Sequence, residues 1–351
     1  MTPGKKGEIH TLSEIIHQFP AWEATIEYVL RKRKSLEEFF ARTSEKGVLF
    51  TGCGSSYHLA SSTAFVWQAL TGKECKYLPA SEVFLFPESV TEHWKPLVVV
   101  FSRSGETTET LRAVELLNQK DLPVLGITCC EKSSLVRSSS LFITTRGIEE
   151  KSIVETGSFS AMLLIGQTCA FLASRREDLI NETKELPAQS EELFSRGRSN
   201  IEKLAKKEFK KAFFLGSGPY YGLACDASLK MKEMALIPSE AFTFLEFRHG
   251  PISLVDKNSL MVALFSERSY SYESPVVRKA KDYGAMILAL GVKKEEVREC
   301  FIPFPSGLSE FNRRILSAPL VQLLACYQAL ERGLNPDKPP HLKRVVKLKE
   351  E

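Results

Sequence analysis

Val48-Leu49-Phe50-Thr51-Gly52-Cys53-Gly54-Ser55-Ser56 is an apolar run that ends in a glycine-rich turn. Such a run reads as a buried strand, and the turn as the entry to a helix. The pattern returns as Phe213-Phe214-Leu215-Gly216-Ser217-Gly218-Pro219. A second pair follows each: Val98-Val99-Val100-Phe101 leads into Ser102-Arg103-Ser104-Gly105-Glu106-Thr107, and Met261-Val262-Ala263-Leu264-Phe265 leads into Ser266-Glu267-Arg268-Ser269. Both pairs lie 164 residues apart. A strand-and-turn pattern repeated at one spacing predicts a duplicated unit of the α/β class: two doubly wound parallel-sheet domains in tandem.

Working outward, residues 1–45 read as an N-terminal helical segment, with Ile15, Ile16, Phe19, Trp22, Ile26, Val29 and Leu30 at helical spacing and an interruption at Pro20. The first domain is expected over 46–175, with strands at Val48–Phe50, Leu97–Phe101, Pro123–Ile127 and Leu141–Thr144 and a buried helix across Phe159–Leu172. A charged helical connector over 176–211 leads to the second domain at 212–334. That domain carries strands at Phe213–Leu215, Met261–Phe265 and Met286–Leu290 and closes on a helix around Leu316–Arg332. A tail follows at 335–351. The strands are near-continuous apolar runs, as required when both faces of a sheet are covered.

The composition narrows the function. The chain has 351 residues, 43% of them hydrophobic, and a formal net charge of only +4. No basic stripe interleaved with aromatics suggests nucleic acid. The short basic tail from Lys343-Arg344 to Lys349 reads as a solvated end. Eight cysteines without a CxxC pair point to a reduced, cytoplasmic protein with no metal site. Met1 to His10 is mostly polar, so no leader is expected, and no apolar run reaches the ~20 residues of a membrane helix. Gly52-x-Gly54 lacks a third glycine, and Gly222 follows Gly216-x-Gly218 one residue too late for a dinucleotide fingerprint. No cofactor is expected.

Two stretches carry chemistry. Ser102, Ser104, Thr107 and Thr108 crowd a turn between a strand and a helix, with Gly105 letting the backbone approach a ligand. Hydroxyls added to the unpaired N–H groups of a helix start suit a phosphate monoester. Ser55 and Ser56 at the first glycine-rich turn can close the same pocket. The alternative is that the hydroxyls are ordinary N-caps, worth about 1 kcal/mol each. The second stretch is Asp226 to Glu233, where Lys230 and Glu233 share a helix face, followed by Glu240 and by Glu246-Phe247-Arg248-His249-Gly250-Pro251. A carboxylate, an amine and an imidazole can move protons on a sugar. The alternative is an exposed ion pair worth a few tenths of a kcal/mol.

In Gly52-Cys53-Gly54-Ser55-Ser56, Ser102-Arg103-Ser104-Gly105-Glu106-Thr107, Leu229-Lys230-Met231-Lys232-Glu233 and His249-Gly250-Pro251, the chain resembles the double-domain form of the sugar isomerase (SIS) family, and most of all the isomerase half of glucosamine-6-phosphate synthase. The resemblance covers nearly the whole chain. It implies that Ser56, Ser102, Arg103, Ser104 and Thr107, with Gly54 and Ser55 in the same turn, hold a sugar phosphate. It makes Glu233 the proton-shuttling base beside Lys230. It makes His249 the ring opener, reaching a neighbouring subunit's site, so that at least a homodimer is implied. The stretch from Asp337 to Arg344 is similar to a family tail that carries a substrate-facing lysine. An ungapped match puts Arg344 there, with Lys343 beside it, and an arginine cannot act as a neutral amine. Arg103 stands where the synthase has glutamine, which adds a charge for phosphate. About 45 residues precede the first sheet, fewer than a glutaminase domain needs. The expectation is therefore a stand-alone, metal-independent aminosugar-6-phosphate deaminase/isomerase, converting glucosamine 6-phosphate to fructose 6-phosphate and ammonia. A fructosamine-6-phosphate deglycase and a non-catalytic sugar-phosphate sensor are the alternatives.

Overall fold

Two parallel five-stranded sheets organise the computed structural model, which describes residues 9–91, 93–292 and 300–348. The polar opening at 1–8 and Lys349 lie outside those residues. The first sheet holds β1 (Val48–Gly52), β2 (Cys75–Pro79), β3 (Leu97–Ser102), β4 (Val124–Thr128) and β5 (Leu141–Thr144), in the order β2-β1-β3-β4-β5. The second holds β6 (Lys211–Gly216), β7 (Ser239–Phe242), β8 (Ser259–Leu264), β9 (Met286–Gly291) and β10 (Phe301–Pro303), in the order β10-β9-β8-β6-β7. Taken from its other end, this is the arrangement of the first sheet. The register is parallel throughout, with Phe50 beside Val99 in one sheet and Phe214 beside Val262 in the other. Strands β1, β3, β4, β6 and β8 are apolar because helices cover both faces.

Three strands were not expected from apolar runs: β2, β7 and β10. β7 and β10 are edges of the second sheet and β2 of the first, and Lys76, Tyr77 and Glu240 on them are exposed. An edge strand has fewer covered positions and tolerates charge there, so it carries no hydrophobic signature.

Among the helices that pack around the sheets are α1 (His10–Ile16), α2 (Phe19–Arg31), α3 (Arg33–Thr43), α4 (Ser55–Thr71), α5 (Thr108–Gln119), α6 (Gly157–Ala173), α7 (Leu186–Ala205), α8 (Tyr221–Ala235), α9 (Tyr270–Asp282) and α10 (Ser317–Glu331). Pro20 lies in the first turn of α2, where its missing N–H costs nothing, so the helical segment breaks before the proline rather than at it. α6 is buried on all sides from Gly157 to Leu172, which is why its sequence shows no polar face. The charged segment expected as a connector forms a short helix at Glu177–Thr183 and then α7. α7 is part of the core: a side chain at Gly197 would meet Leu320 at 3.1 Å and Ile302 at 3.2 Å. One hydrophobic cluster runs through both halves, including Leu59 and Trp67 of α4, Leu223 and Met231 of α8 and Leu320 of α10.

The ends of the chain meet. The Asp337 carboxylate accepts from His10 N (3.0 Å), Thr11 N (2.7 Å) and Thr11 Oγ1 (2.7 Å), capping α1. Among the described residues no helix is long and apolar enough to cross a membrane.

Candidate active site

In a sheet ordered 2-1-3-4-5, the chain leaves β1 and β3 toward opposite faces, and a crevice opens at their carboxyl ends. That crevice is bordered by Gly52–Ser56 on one side and Ser102–Thr107 on the other. Gly52 must lack a side chain, because a Cβ there would lie 2.7 Å from the backbone of Ser56. Gly105 has φ +63°, and a Cβ on it would overlap Ser133 Oγ at 2.3 Å. Internal hydrogen bonds shape the second turn: Gly105 N donates to Ser102 Oγ (3.1 Å) and Glu106 N to Ser104 Oγ (3.1 Å). Thr107 is the extended residue before α5. The Glu106 carboxylate turns aside and accepts from Ser134 N (2.7 Å) and Ser134 Oγ (3.0 Å), so it brings no like charge to the cradle.

The second half of the chain delivers the ionisable groups. α8 packs on α4 at Gly222, where a Cβ would lie 2.5 Å from His58 O and 2.7 Å from Ser62 N. This approach sets Lys230, fully buried, beside the first glycine-rich turn. Lys230 Nζ donates to Ser55 Oγ (2.8 Å) and Glu233 Oε2 (2.9 Å) and lies 3.6 Å from Asp226 Oδ1. Ser55 also bonds Asp226. Burial alone would lower the Lys230 pKa, but Asp226, Glu233 and Glu155 outweigh it and raise it. Burial pushes Asp226 up to about 6 despite Lys230. Burial, then Lys230 and Lys232, hold His58 down at about 4, so its imidazole is neutral. The Lys230–Glu233 pair is thus not the exposed pair that spacing allows. Asp226 had a signal, one helical turn before Lys230 on the same face. His58 and the carboxyls described next had none.

Arg103 is buried and committed within the protein. Its guanidinium donates to Glu150 Oε2 (3.3 Å), Ile153 O (2.8 Å) and Arg344 O (3.3 Å), and its Nε lies 3.5 Å from Glu155 Oε1. The expected charge for phosphate is therefore spent on carboxylates and on the tail. Glu150 accepts from the N–H and hydroxyl of both Thr156 and Ser158, capping α6. The tail runs over the start of α5: Thr108 N donates to Val346 O (3.4 Å) and Leu348 N to Thr108 Oγ1 (3.3 Å). Arg344 reaches the site through its carbonyl, while the Lys343 and Arg344 side chains are exposed.

The equivalent crevice of the second sheet is filled from within. Glu273 of α9, 1% exposed, accepts from Ser266 N (2.9 Å) and Ser269 Oγ (2.6 Å) at the end of β8. Its carboxylate holds the place that an anion would take. Nor does that crevice have a lysine–glutamate pair, since Val66 and Ala69 stand 164 residues before Lys230 and Glu233. His249 is separated from the cluster. It is exposed after a short helix at Phe244–Phe247, in a groove of about 400 Å³ with Arg248, Tyr272 and Lys279, none of them from the Lys230 set.

The SIS domain family matches residues 43–175 and 203–297, more than half of the chain. The chain is similar to the glutamine–fructose-6-phosphate aminotransferase (isomerizing) of Sulfolobus acidocaldarius, 28% identical over 98% of this chain and 58% of that protein. It spans little more than half the length of the curated relatives it matches. Among solved structures it is similar to glucosamine-6-phosphate deaminase from Thermotoga maritima, at 32% identity and TM-score 0.77, covering 93% of this chain and 100% of that one. It shares its fold with the C-terminal domain of glucosamine-fructose-6-phosphate aminotransferase from Francisella tularensis, at TM-score 0.85 and 24% identity over 96% and 100% of the two chains.

Proposed function

The chain belongs to the SIS-domain family, and we propose that it is a phosphosugar-converting enzyme, an aminosugar-6-phosphate deaminase/isomerase acting on glucosamine 6-phosphate. One observation carries this reading: hydroxyls at a helix start and a buried lysine–carboxylate set coincide at the first crevice and nowhere else among the described residues. In the proposed mechanism the phosphate lies at the start of α5, against Ser56, Ser102, Ser104 and Thr107. Glu233 takes the proton from C2 of the opened sugar and returns it to C1. Lys230, held by three partners, keeps the Glu233 carboxylate oriented and places a cation beside the developing enolate charge. The product of that transfer is an imine at C2, to which water adds as ammonia departs, leaving fructose 6-phosphate. His249 would open the ring from a second copy of the chain, which its exposure and its separation from Glu233 support. The tail acts through its backbone over the cradle, with Arg344 anchored to Arg103.

The likeness to the Thermotoga maritima deaminase, aligned along its full length, supports the deaminase reading over the alternatives. The test is release of ammonia and fructose 6-phosphate from glucosamine 6-phosphate by the wild type and by Glu233→Gln. Turnover by the wild type and a loss of at least about 10²-fold in the variant are expected for removal of a general base. Equal rates would remove Glu233 from the mechanism, and binding without turnover would leave the sensor.

A further inference from the structure

The cluster at the first crevice contains more negative charge than its own cations balance. Arg103 and Lys230 face four carboxyls: Glu150, Glu155, Asp226 and Glu233. A site for a phosphate dianion gains nothing from such an excess unless the ligand also brings a cation. Three of the four have at least one hydrogen bond within the protein. Glu150 caps α6 with four hydrogen bonds, Asp226 is held by Ser55 and Lys230, and Glu233 by Lys230. Asp226 Oδ1 is likewise buried without a hydrogen-bond partner, but Lys230 Nζ lies 3.6 Å from it, and Glu155 is left as the carboxyl with no bond to a protein donor at either oxygen. Its Oε1 lies 3.5 Å from Arg103 Nε, beyond a strong hydrogen bond, and its Oε2 is buried with no hydrogen-bond partner. A carboxylate oxygen out of water without a donor is costly, so such an atom in a crevice marks a place for a donor from elsewhere.

We propose that Glu155 is a specificity-determining residue of this site, whose unpartnered Oε2 receives the cationic amine of an aminosugar phosphate and thereby separates it from the hydroxyl sugar of the same shape. The inference rests on the phosphosugar reading above and deepens it. Glu155 lies just before α6, between Glu150 and the helix, and its charge couples to groups on every side: Arg103 beyond β3, Lys230 and Asp226 on α8, Cys53 beyond β1 and Cys129 beyond β4. Burial pushes its carboxyl up to about 7, against the pull of Arg103 and Lys230. A cation arriving at Oε2 ionises it, and a sugar hydroxyl does so far less.

The experiment is calorimetric titration of the full chain with glucosamine 6-phosphate and with glucose 6-phosphate, for the wild type, Glu155→Gln and Glu155→Asp. A charge-assisted hydrogen bond predicts that the wild type prefers the aminosugar by about tenfold or more near neutral pH. Glu155→Gln brings the two affinities together, and Glu155→Asp keeps a preference. The ratio of affinities falls more steeply in the wild type than in Glu155→Gln as pH drops from about 7.5 to about 5.5, a range in which a sugar amine is mostly charged. The phosphate's own titration is common to both ligands and cancels. Asp226, pushed up to about 6, titrates in the same range, and its share is the pH dependence that survives in Glu155→Gln. A preference retained in Glu155→Gln, an equal weakening of both sugars, or a wild-type ratio independent of pH overturns the assignment. If the wild type binds both sugars alike, this inference alone falls. If it binds neither, the phosphosugar reading falls and takes this one with it.

Discussion

Replacing Gly222 by alanine tests how the site is put together. The added Cβ would lie 2.5 Å from His58 O, where ordinary contact begins at 3.4 Å, so α4 and α8 must part locally by about 0.9 Å. The obstacle is backbone and cannot swing aside. Lys230, on the same helix, bonds Ser55 on α4 at 2.8 Å, and a parting of that size carries the bond to about 3.7 Å, past hydrogen-bond range. Overpacking of this kind costs about 1–3 kcal/mol, a fall of a few degrees in the thermal midpoint. The catalytic loss is of similar size in free energy but reads as about 10²-fold in rate, because a displacement near 1 Å between reacting groups costs about that much. The assay pairs a thermal melt with turnover of glucosamine 6-phosphate per folded molecule. Gly307→Ala is the control, since a Cβ there meets nothing within 4 Å. Full turnover by Gly222→Ala, with a midpoint within about 1 °C of wild type, would refute the claim that this contact sets the geometry.

Three further outcomes follow from the same interactions. Glu155 has its folded pKa raised from 4.5 to about 7, so its contribution to stability is present below pH 4.5 and is lost as pH rises to about 7; denaturant melts should show the stability of Glu155→Gln relative to wild type increasing across that interval, and a constant difference would contradict the burial effect. Glu273→Ala leaves Ser266 N and the Ser269 hydroxyl without their acceptor and should destabilise by about 1–3 kcal/mol, with sulfate restoring part of the midpoint; a midpoint unmoved by sulfate in this variant would show that the crevice is not an anion site in waiting. Asp337→Asn weakens the three bonds that cap α1, and hydrogen exchange should quicken at residues 10–16; unchanged protection there would mean that the cap adds nothing.

Much of the fold was legible because buried parallel strands must be apolar and must end in turns that free the backbone. β1, β3, β4, β6, β8 and β9 follow that rule, and β5, although an edge strand with Phe142 exposed, is still marked by its apolar Leu141, Phe142 and Ile143. The strands that escaped notice, β2, β7 and β10, sit at sheet edges, where half-exposed residues dilute the pattern. The connector was recognised as helical but not as core, because its charged face hides the buried stripe of Leu193, Phe194, Ile201 and Leu204. At the site, the hydroxyl turn and the Lys230–Glu233 pair could be picked out locally, whereas the fate of Arg103 depended on Glu150 and Glu155, some fifty residues away.

The amino-acid sequence alone determined that two like sheets form and that each has a turn at the carboxyl end of its first and third strands, because strand burial and turn geometry are settled within a few residues. Only the tertiary structure decided how those two equivalent places differ in what lines and fills them. A lysine reaches Ser55 from 175 residues away because two helices touch at a glycine, a glutamate closes the other crevice, and His249 ends up in a different groove. Burial, pKa and pairing belong to contacts between elements, and no local pattern contains them.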